Sequence, residues 1–495
     1  MPRDNSDTSL ITSRGFRLCL VFLLLAVFVM QGKAVPFNNE LIYLLRLDPT
    51  LLQNDWSFSQ AASEHWLFNT IFSFPARFLS LETIGWCGRI LGWVLCLVAI
   101  IRLGRWWNIP YWAIALSVGT WLAIGQSVVN AEWIFGTFEA KVPAYACLLF
   151  ALNGFADRKV VWPSILLGLS FSFHPAVGLW AVLAVGIALL ATRLLVADFL
   201  KVVAITFIVS LPGLIALIPE QTASSASTYD DWQFIVTKHM PFHFDPYYFS
   251  IVGVVILFAM LLFNIAELYR DQRFAIRFLL YFQIALAAFF SLGVLLRALE
   301  AYPLLRFMPM RLFPIVTPLF FLFTASRVLL RAVSIQTRLA IAAVVLLLIL
   351  PLQPFQNAIY EARATVHTWR EKPDDISTTL MWVRQNTPAD AVVVAPPDTR
   401  NFWYLSRRAE VASWFYPRYD RLSEWRKRVA DVTGGAQIIS RDTANAAIEN
   451  GFDGLTVEQI RALEEKYDAS YVITKNTYPF PVAFEQGDLK VYQLR

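Results

Sequence analysis

Residues 160–192 read VVWPSILLGLSFSFHPAVGLWAVLAVGIALLAT, and the way this run divides decides the fold. A membrane helix takes about 20 mainly apolar residues, within a range of roughly 17–25. The run is too long for one such helix and barely enough for two. His174-Pro175 stands at its middle, and proline pushes the residue before it out of the helical region. The division falls there, which predicts spans at 160–173 and 176–192.

Working outward, the same criterion places spans near 16–31, 84–101, 111–129, 142–156, 201–218, 248–266, 278–296, 313–328 and 338–352, about eleven in all. Composition agrees. Of 495 residues, 57% are hydrophobic and 16% charged, against about 45–50% and about 25% in soluble domains. Arg14, Arg17 and the apolar run Leu18 to Met30 have the outline of a signal peptide. No small-x-small cleavage site follows at Gln31-Gly32-Lys33-Ala34, so the run is a retained first helix.

Basic residues give the layout a direction. With the N-terminus inside, Arg102, Arg105, Arg158, Lys159, Arg193, Arg270, Arg273 and Arg277 fall on inner segments. The outer loops hold fewer, as the positive-inside rule requires. The net charge of +5 is therefore a topology signal and not a nucleic-acid footprint. An odd number of spans delivers the charge-dense region after about residue 353 to the outside. The four cysteines, Cys19, Cys87, Cys96 and Cys147, lie in or beside apolar runs and form no CxxC pair.

The expected architecture is thus an α-helical polytopic membrane part, 1–352, followed by a C-terminal α/β domain, 353–495. In the latter, Ile376 to Gln385 predicts a helix and Ala391 to Ala395 a buried strand. Thr456 with Gln459 predicts a capping box opening a second helix. Tyr471 to Thr474 and Leu489 to Gln493 predict further strands, and Gly434-Gly435 a turn. No GxGxxG or GxxxxGK[ST] occurs, so nucleotide binding gains no support.

Acidic residues gather in the outer loops, where functional groups concentrate. The first loop, about 32–83, carries Asp48, Asp55, Glu64 and His65, and the second carries Glu132, Glu139 and Lys141. Asp48 and Asp55 lie seven residues apart, on one face if helical. A carboxylate in a partly dry site gains proton affinity and serves as a general base. For Asp48, a turn at Asp48-Pro49 is the favoured alternative; for Asp55, ahead of Trp56, function is favoured over a helix cap. Glu139 and Lys141 either form a snorkelling interfacial pair or join a loop-one carboxylate around a donor. Arg306 and Arg311 break the positive-inside pattern, and guanidinium matches phosphate oxygens; the alternative is pairing with headgroups or Glu300. His174 is more often a helix-break residue. Asp230, Asp231, His243 and Asp245 offer metal-ligand atoms at a spacing that matches no known site.

Asp48 and Asp55 in loop one, Glu139 with Lys141, Phe173-His-Pro175 and the Arg306 to Arg311 segment together resemble the GT-C class of membrane glycosyltransferases. The tail motifs Trp382-Val-Arg-Gln-Asn-Thr-Pro388, Tyr404-Leu-Ser-Arg-Arg408 and Lys466-Tyr-Asp-Ala-Ser-Tyr471 look like a bacterial branch with a C-terminal extracytoplasmic domain. The resemblance implies an inner-membrane enzyme taking sugar from a polyprenyl-phosphate carrier to a glycan, lipid or protein acceptor, with inversion. A loop-one aspartate would be the base, and Arg306, Arg311 and Lys141 would hold the phosphate. It leaves room for a divalent metal ion as cofactor. One departure is that loop one offers a lone Asn-Asp-Trp in place of a paired acidic signature.

The rival readings are a transporter or flippase for a lipid-linked or anionic substrate, and a non-enzymatic envelope assembly partner. Transporters favour paired repeats and broken helices near the midplane; no repeat relates the two halves here.

Overall fold

The computed structural model describes residues 13–31, 39–45, 48, 50–58, 65–130, 132–223, 227–332, 334–349 and 374–495. Glu64 and the expected domain boundary at 352/353 lie outside the described residues.

Eleven apolar helices stand among the described residues. Six are long and apolar enough to cross a membrane: α1 (Arg14–Gln31), α2 (Leu81–Arg105), α7 (reaching Val196–Ala223), α8 (Ile251–Leu268), α9 (Phe274–Ala298) and α10 (Phe313–Arg331). Five are shorter: α3 (Tyr111–Ala123), α4 (Lys141–Ala156), α5 (Val161–Phe173), α6 (Pro175–Ala191) and α11 (Ile335–Ile349).

The break in the 160–192 run falls at His174, as expected. Its backbone is extended (φ −148°, ψ 98°), its Nδ1 accepts the Val177 N–H, and Pro175 takes the first position of α6, where no N–H is needed. The chain then folds back on itself. Gly178 lies so close to Phe171 that a Cβ there would come within 2.1 Å of the Phe171 Cα. The two segments are therefore a tight antiparallel hairpin, not one kinked helix.

The tail has helices α12 (Asp375–Asn386), α13 (Phe402–Ser406), α14 (Leu422–Val432), α15 (Arg441–Asp453) and α16 (Val457–Tyr467). Its strands are β1 (Val392–Val394), β2 (Ala409–Glu410), β3 (Tyr471–Thr474), β4 (Val482–Gln486) and β5 (Leu489–Gln493), in the order β2-β1-β3-β5-β4. β1 runs parallel to β2 and β3, and the β3-β5-β4 side is antiparallel. The interior strand β1 is three buried valines, the continuous apolar run of a strand covered on both faces. The capping box of Thr456 and Gln459 opens α16, and Gly434 and Gly435 take positive φ (59° and 83°) in the turn after α14.

The tail docks on one end of the bundle. The Asp55 carboxylate accepts the Glu410 N–H at 3.0 Å, and Arg418 donates to the Trp56 carbonyl at 2.7 Å. Asp231 pairs with Arg426 at 2.7 Å, and His239 Nε2 donates to the Trp414 carbonyl at 2.6 Å. At the far end, Asp271 takes both Arg273 and Arg327 (2.7 and 2.6 Å), and Arg273 reaches the Trp106 carbonyl. Loop one, the 227–250 segment and the tail therefore share one end.

Helix length shapes that end. The 13 residues of α5 rise about 20 Å at 1.5 Å each, short of a hydrocarbon core of about 30 Å. The charged turns Asp157 to Lys159 and Thr192-Arg193 close the far ends of α4, α5 and α6. At the tail end the loop-one helix Trp66–Ser73 packs against α5 and α7, and buried side chains fill the recess beneath it.

Candidate functional site

The recess is floored by the turn between α3 and α4. Gln126, itself in the left-handed region (φ 68°), ties this turn with its side chain. Its Oε1 accepts the Ile134 and Phe135 N–H groups (2.9 and 2.8 Å), and its Nε2 donates to the Phe135 carbonyl (2.9 Å). This fixes Glu132 on one side and leads through Glu139 to Lys141, the first residue of α4. The opposite wall is the turn ahead of α10. Met308 at φ 51° bends the chain there, and its carbonyl accepts the Arg311 N–H.

Two carboxylates and two cations meet between these walls. Arg311 Nε stands 2.7 Å from Glu132 Oε2, Lys141 Nζ 3.6 Å from Glu132 Oε1, and Lys141 Nζ 3.5 Å from Glu139 Oε2. Lys141 also lies 3.4 Å from the Trp133 ring centroid, and the Thr137 hydroxyl donates to Glu139 at 2.6 Å. Glu132, Lys141 and Arg311 are buried; Glu139 is half-buried. Burial pushes the Glu132 carboxyl up, but Arg311 and Lys141 outweigh it and hold the group ionised, below its ordinary range. The Tyr145 hydroxyl is buried in α4 against Glu132 and Arg311.

Three imidazoles surround this cluster. His65 from loop one stacks near His174 (centroids 4.9 Å apart), and His243 comes from the 227–250 segment. Burial, reinforced by Arg311 and Lys141, lowers His65 to about 4 and holds His174 well below its usual value. His243 falls to about 3, chiefly by burial, with Glu132 opposing and Arg311 and Lys141 assisting. All three are neutral at pH 7. The cluster then balances two negative against two positive charges, and five separate chain segments supply it.

Of the residues singled out in the sequence, Glu139, Lys141, His174, His243 and Arg311 come together here. Arg306 sits five residues before Arg311 with its guanidinium 5.4 Å from the Trp232 ring centroid and 4.9 Å from that of Phe307. Asp48 is exposed and closes a turn by accepting the Thr50 N–H and hydroxyl (2.9 and 2.7 Å). Asp55 is buried at the tail junction, where it accepts the Ser57, Phe58 and Glu410 N–H groups (2.8, 2.7 and 3.0 Å). Burial raises its proton affinity to a pKa of about 6. Asp231 caps a helical turn through Thr228 and pairs with Arg426, while Asp230 is exposed. Asp245 pairs with Arg297 at 2.9 Å.

Sequence reasoning placed Glu132 and His65 in the outer loops without giving either a role, and gave none to Tyr145. The first had a usable signal: a third charge in the loop that already held Glu139 and Lys141. His65 and Tyr145 had none, because their relevance depends on which segments meet.

Among the described residues, no three His, Cys, Asp or Glu side chains are grouped to hold a metal ion. The chemistry of the cluster agrees. Arg311 and Lys141 already neutralise its carboxylates, and both would repel a divalent cation.

Residues 374–432 match a family model described as a domain of unknown function, DUF6798. The match covers the part of the tail from α12 through α14. A comparison with curated proteins gives no match. Among solved structures, the chain is similar to the arabinofuranosyltransferase AftD from mycobacteria, at 14% identity and a TM-score of 0.49. The similarity covers 97% of this chain and 39% of that one, so this chain spans about two fifths of that enzyme's length. Likeness at this level transfers no activity.

Proposed function

We propose that this chain is a GT-C-type membrane glycosyltransferase, transferring sugar with inversion from a polyprenyl-phosphate carrier to an acceptor at the outer face. The observation that carries the reading is the buried cluster of Glu132, Glu139, Lys141 and Arg311 in the recess at the tail end. Desolvating such charges costs several kcal/mol per ion, and well-packed apolar residues are often as stable or more so. Ionisable groups kept at such cost inside a membrane protein mark a substrate path.

In this reading Arg311 and Lys141, with Arg306 at the same turn, take the lipid phosphate. The acceptor oxygen attacks the anomeric carbon, and the bond from that carbon to the phosphate oxygen breaks. The charge left on the phosphate falls on Arg311 and Lys141. The acceptor proton passes to a carboxylate. Glu139 is the candidate the fold brings beside the cations. Asp55 is the loop-one candidate, favoured by its raised proton affinity and its place on a cavity at the tail junction. The concentration of Arg158, Lys159, Arg193, Arg270 and Arg273 at the far end supports a cytoplasmic N-terminus and an extracytoplasmic tail. A transporter would set its charges near the midplane between broken helices; here they gather at one end.

The test is transfer from labelled polyprenyl-phosphate sugars by membranes containing the chain. Arg311→Ala removes a charge-assisted phosphate contact of about 1.5–3 kcal/mol, a loss of roughly 10- to 150-fold in donor use. Full donor use by that variant sinks the phosphate site. An active Glu139→Gln beside a folded, inactive Asp55→Asn moves the base to Asp55.

A further inference from the structure

Two arginines of the tail stand side by side, and neither enters a salt bridge among the described residues. Arg384 lies in the last turn of α12, and Arg407 follows α13. The buried Arg408 staples their backbones together. Its Nη2 donates to the Arg384 and Thr387 carbonyls (2.7 Å each), and its Nη1 to the Arg407 carbonyl (3.1 Å). Arg407 is held at φ 54°, a left-handed conformation that side chains disfavour. Burial, then the Arg384 charge beside it, lower Arg407 to about 10, with only Tyr404 opposing. An uncompensated charge on a strained backbone is a mark of function.

The neighbours of the pair place it at the membrane boundary. Arg407 Nε donates to the Tyr404 carbonyl at 3.2 Å. After burial, the charges acting on the Tyr404 hydroxyl are those of Arg407, Glu82 and Arg384. Glu82 sits in the first turn of α2, at the tail-side head of a span. Beyond it Cys87, Ile90, Leu91 and Leu95 form an exposed stripe at helical spacing, the face a span turns to lipid. Phe74 and Phe78, 65% and 74% exposed, precede the same helix. Paired guanidinium groups grip phosphate oxygens, and the apolar surface beside them suits acyl chains. The bilayer itself covers that stripe, so the occupant is one of its lipids and not a soluble anion.

We infer that Arg384 and Arg407 form a site for the phosphate headgroup of an acidic phospholipid in the tail-side leaflet, beside the head of α2. The chains of that lipid lie along the α2 stripe. The site needs only the spans and is independent of the glycosyltransferase reading above. The tail thus rests on lipid as well as on loop one.

The experiment reconstitutes the full chain in nanodiscs with a bimane fluorophore on the exposed Cys87, Cys147→Ser removing the half-buried thiol. Spin-labelled phosphatidylglycerol should quench it at a lower mole fraction than spin-labelled phosphatidylcholine. Arg384→Gln, at an exposed position, and Arg407→Asn, which keeps a residue that tolerates the left-handed backbone, are checked for fold by their melting curves. Each should narrow the preference about fivefold, the worth of one basic side chain near an anionic surface. Glu82→Gln should widen it by removing the opposing charge. Equal quenching by the two lipids, or a preference that both arginine variants keep, overturns the inference. So does a preference that inorganic phosphate alone abolishes, which would assign the arginines to a soluble anion.

Discussion

Replacing Glu132 by glutamine tests the buried cluster directly. Its carboxylate lies 2.7 Å from Arg311 Nε and 3.6 Å from Lys141 Nζ. At an effective dielectric of about 20, these separations correspond to about 6 and about 5 kcal/mol of attraction. Glutamine keeps the shape and a carbonyl acceptor, and Lys141 retains Glu139 at 3.5 Å and the Trp133 ring. Arg311 loses its only ion-pair partner among the described residues. The net cost should fall near that of breaking a buried pair, about 3–5 kcal/mol. Tryptophan-fluorescence melting of the detergent-solubilised chain would read it as a drop of several degrees. Polyprenyl phosphate should then stabilise the variant more than the wild type, because the ligand returns the missing negative charge. At 100 times its Kd that stabilisation is about 2.7 kcal/mol. A variant melting with the wild type would refute the ionic account of the recess. A melting loss that polyprenyl phosphate does not reverse would leave the cluster but refute the phosphate site.

Three further outcomes are expected. Folded His65 titrates at about 4 against 6.5 for the free side chain, so between those values the unfolded chain binds protons that the folded one does not. The wild type should therefore lose stability relative to His65→Gln as pH falls from about 6.5 to about 4; parallel pH profiles would contradict the burial of this imidazole. Asp55→Ala strips acceptors from three backbone N–H groups and should cost on the order of 3 kcal/mol, exposing residues 57–58 and 410 to hydrogen exchange. Unchanged protection there would show that Asp55 does not hold the tail. Asp231→Ala removes the acceptor of the Thr228 N–H in a capping box, a hydrogen bond worth about 1 kcal/mol, and the partner of Arg426; cleavage by trypsin after Arg426 should quicken, and an unaltered digest would deny Asp231 its docking role.

The spans were legible because they depend on local composition. The apolar runs, the His174-Pro175 break and the Thr456-Gln459 capping box all appear where the sequence predicts them. The tail was read less fully. Its α14 and α15 bury Leu422, Trp425, Val429 and Val432, and Ala444, Ile448 and Phe452, at helical spacing, a signal that was there to be read, whereas β4 is largely exposed and offered none.

The candidate site divides along the same line. Sequence alone determined that Glu139, Lys141 and Arg311 stand at span ends on one side of the bundle, because span parity follows from hydropathy and charge. Only the tertiary structure decided which charges meet. Glu132 reaches Arg311, 179 positions further along the chain (311 − 132), His65 reaches His174, and Asp55 turns away to the Glu410 N–H of the tail. Those meetings depend on which loops pack over the short helices at the tail end. Pairwise burial of charge is a property of that packing, and no local pattern encodes it.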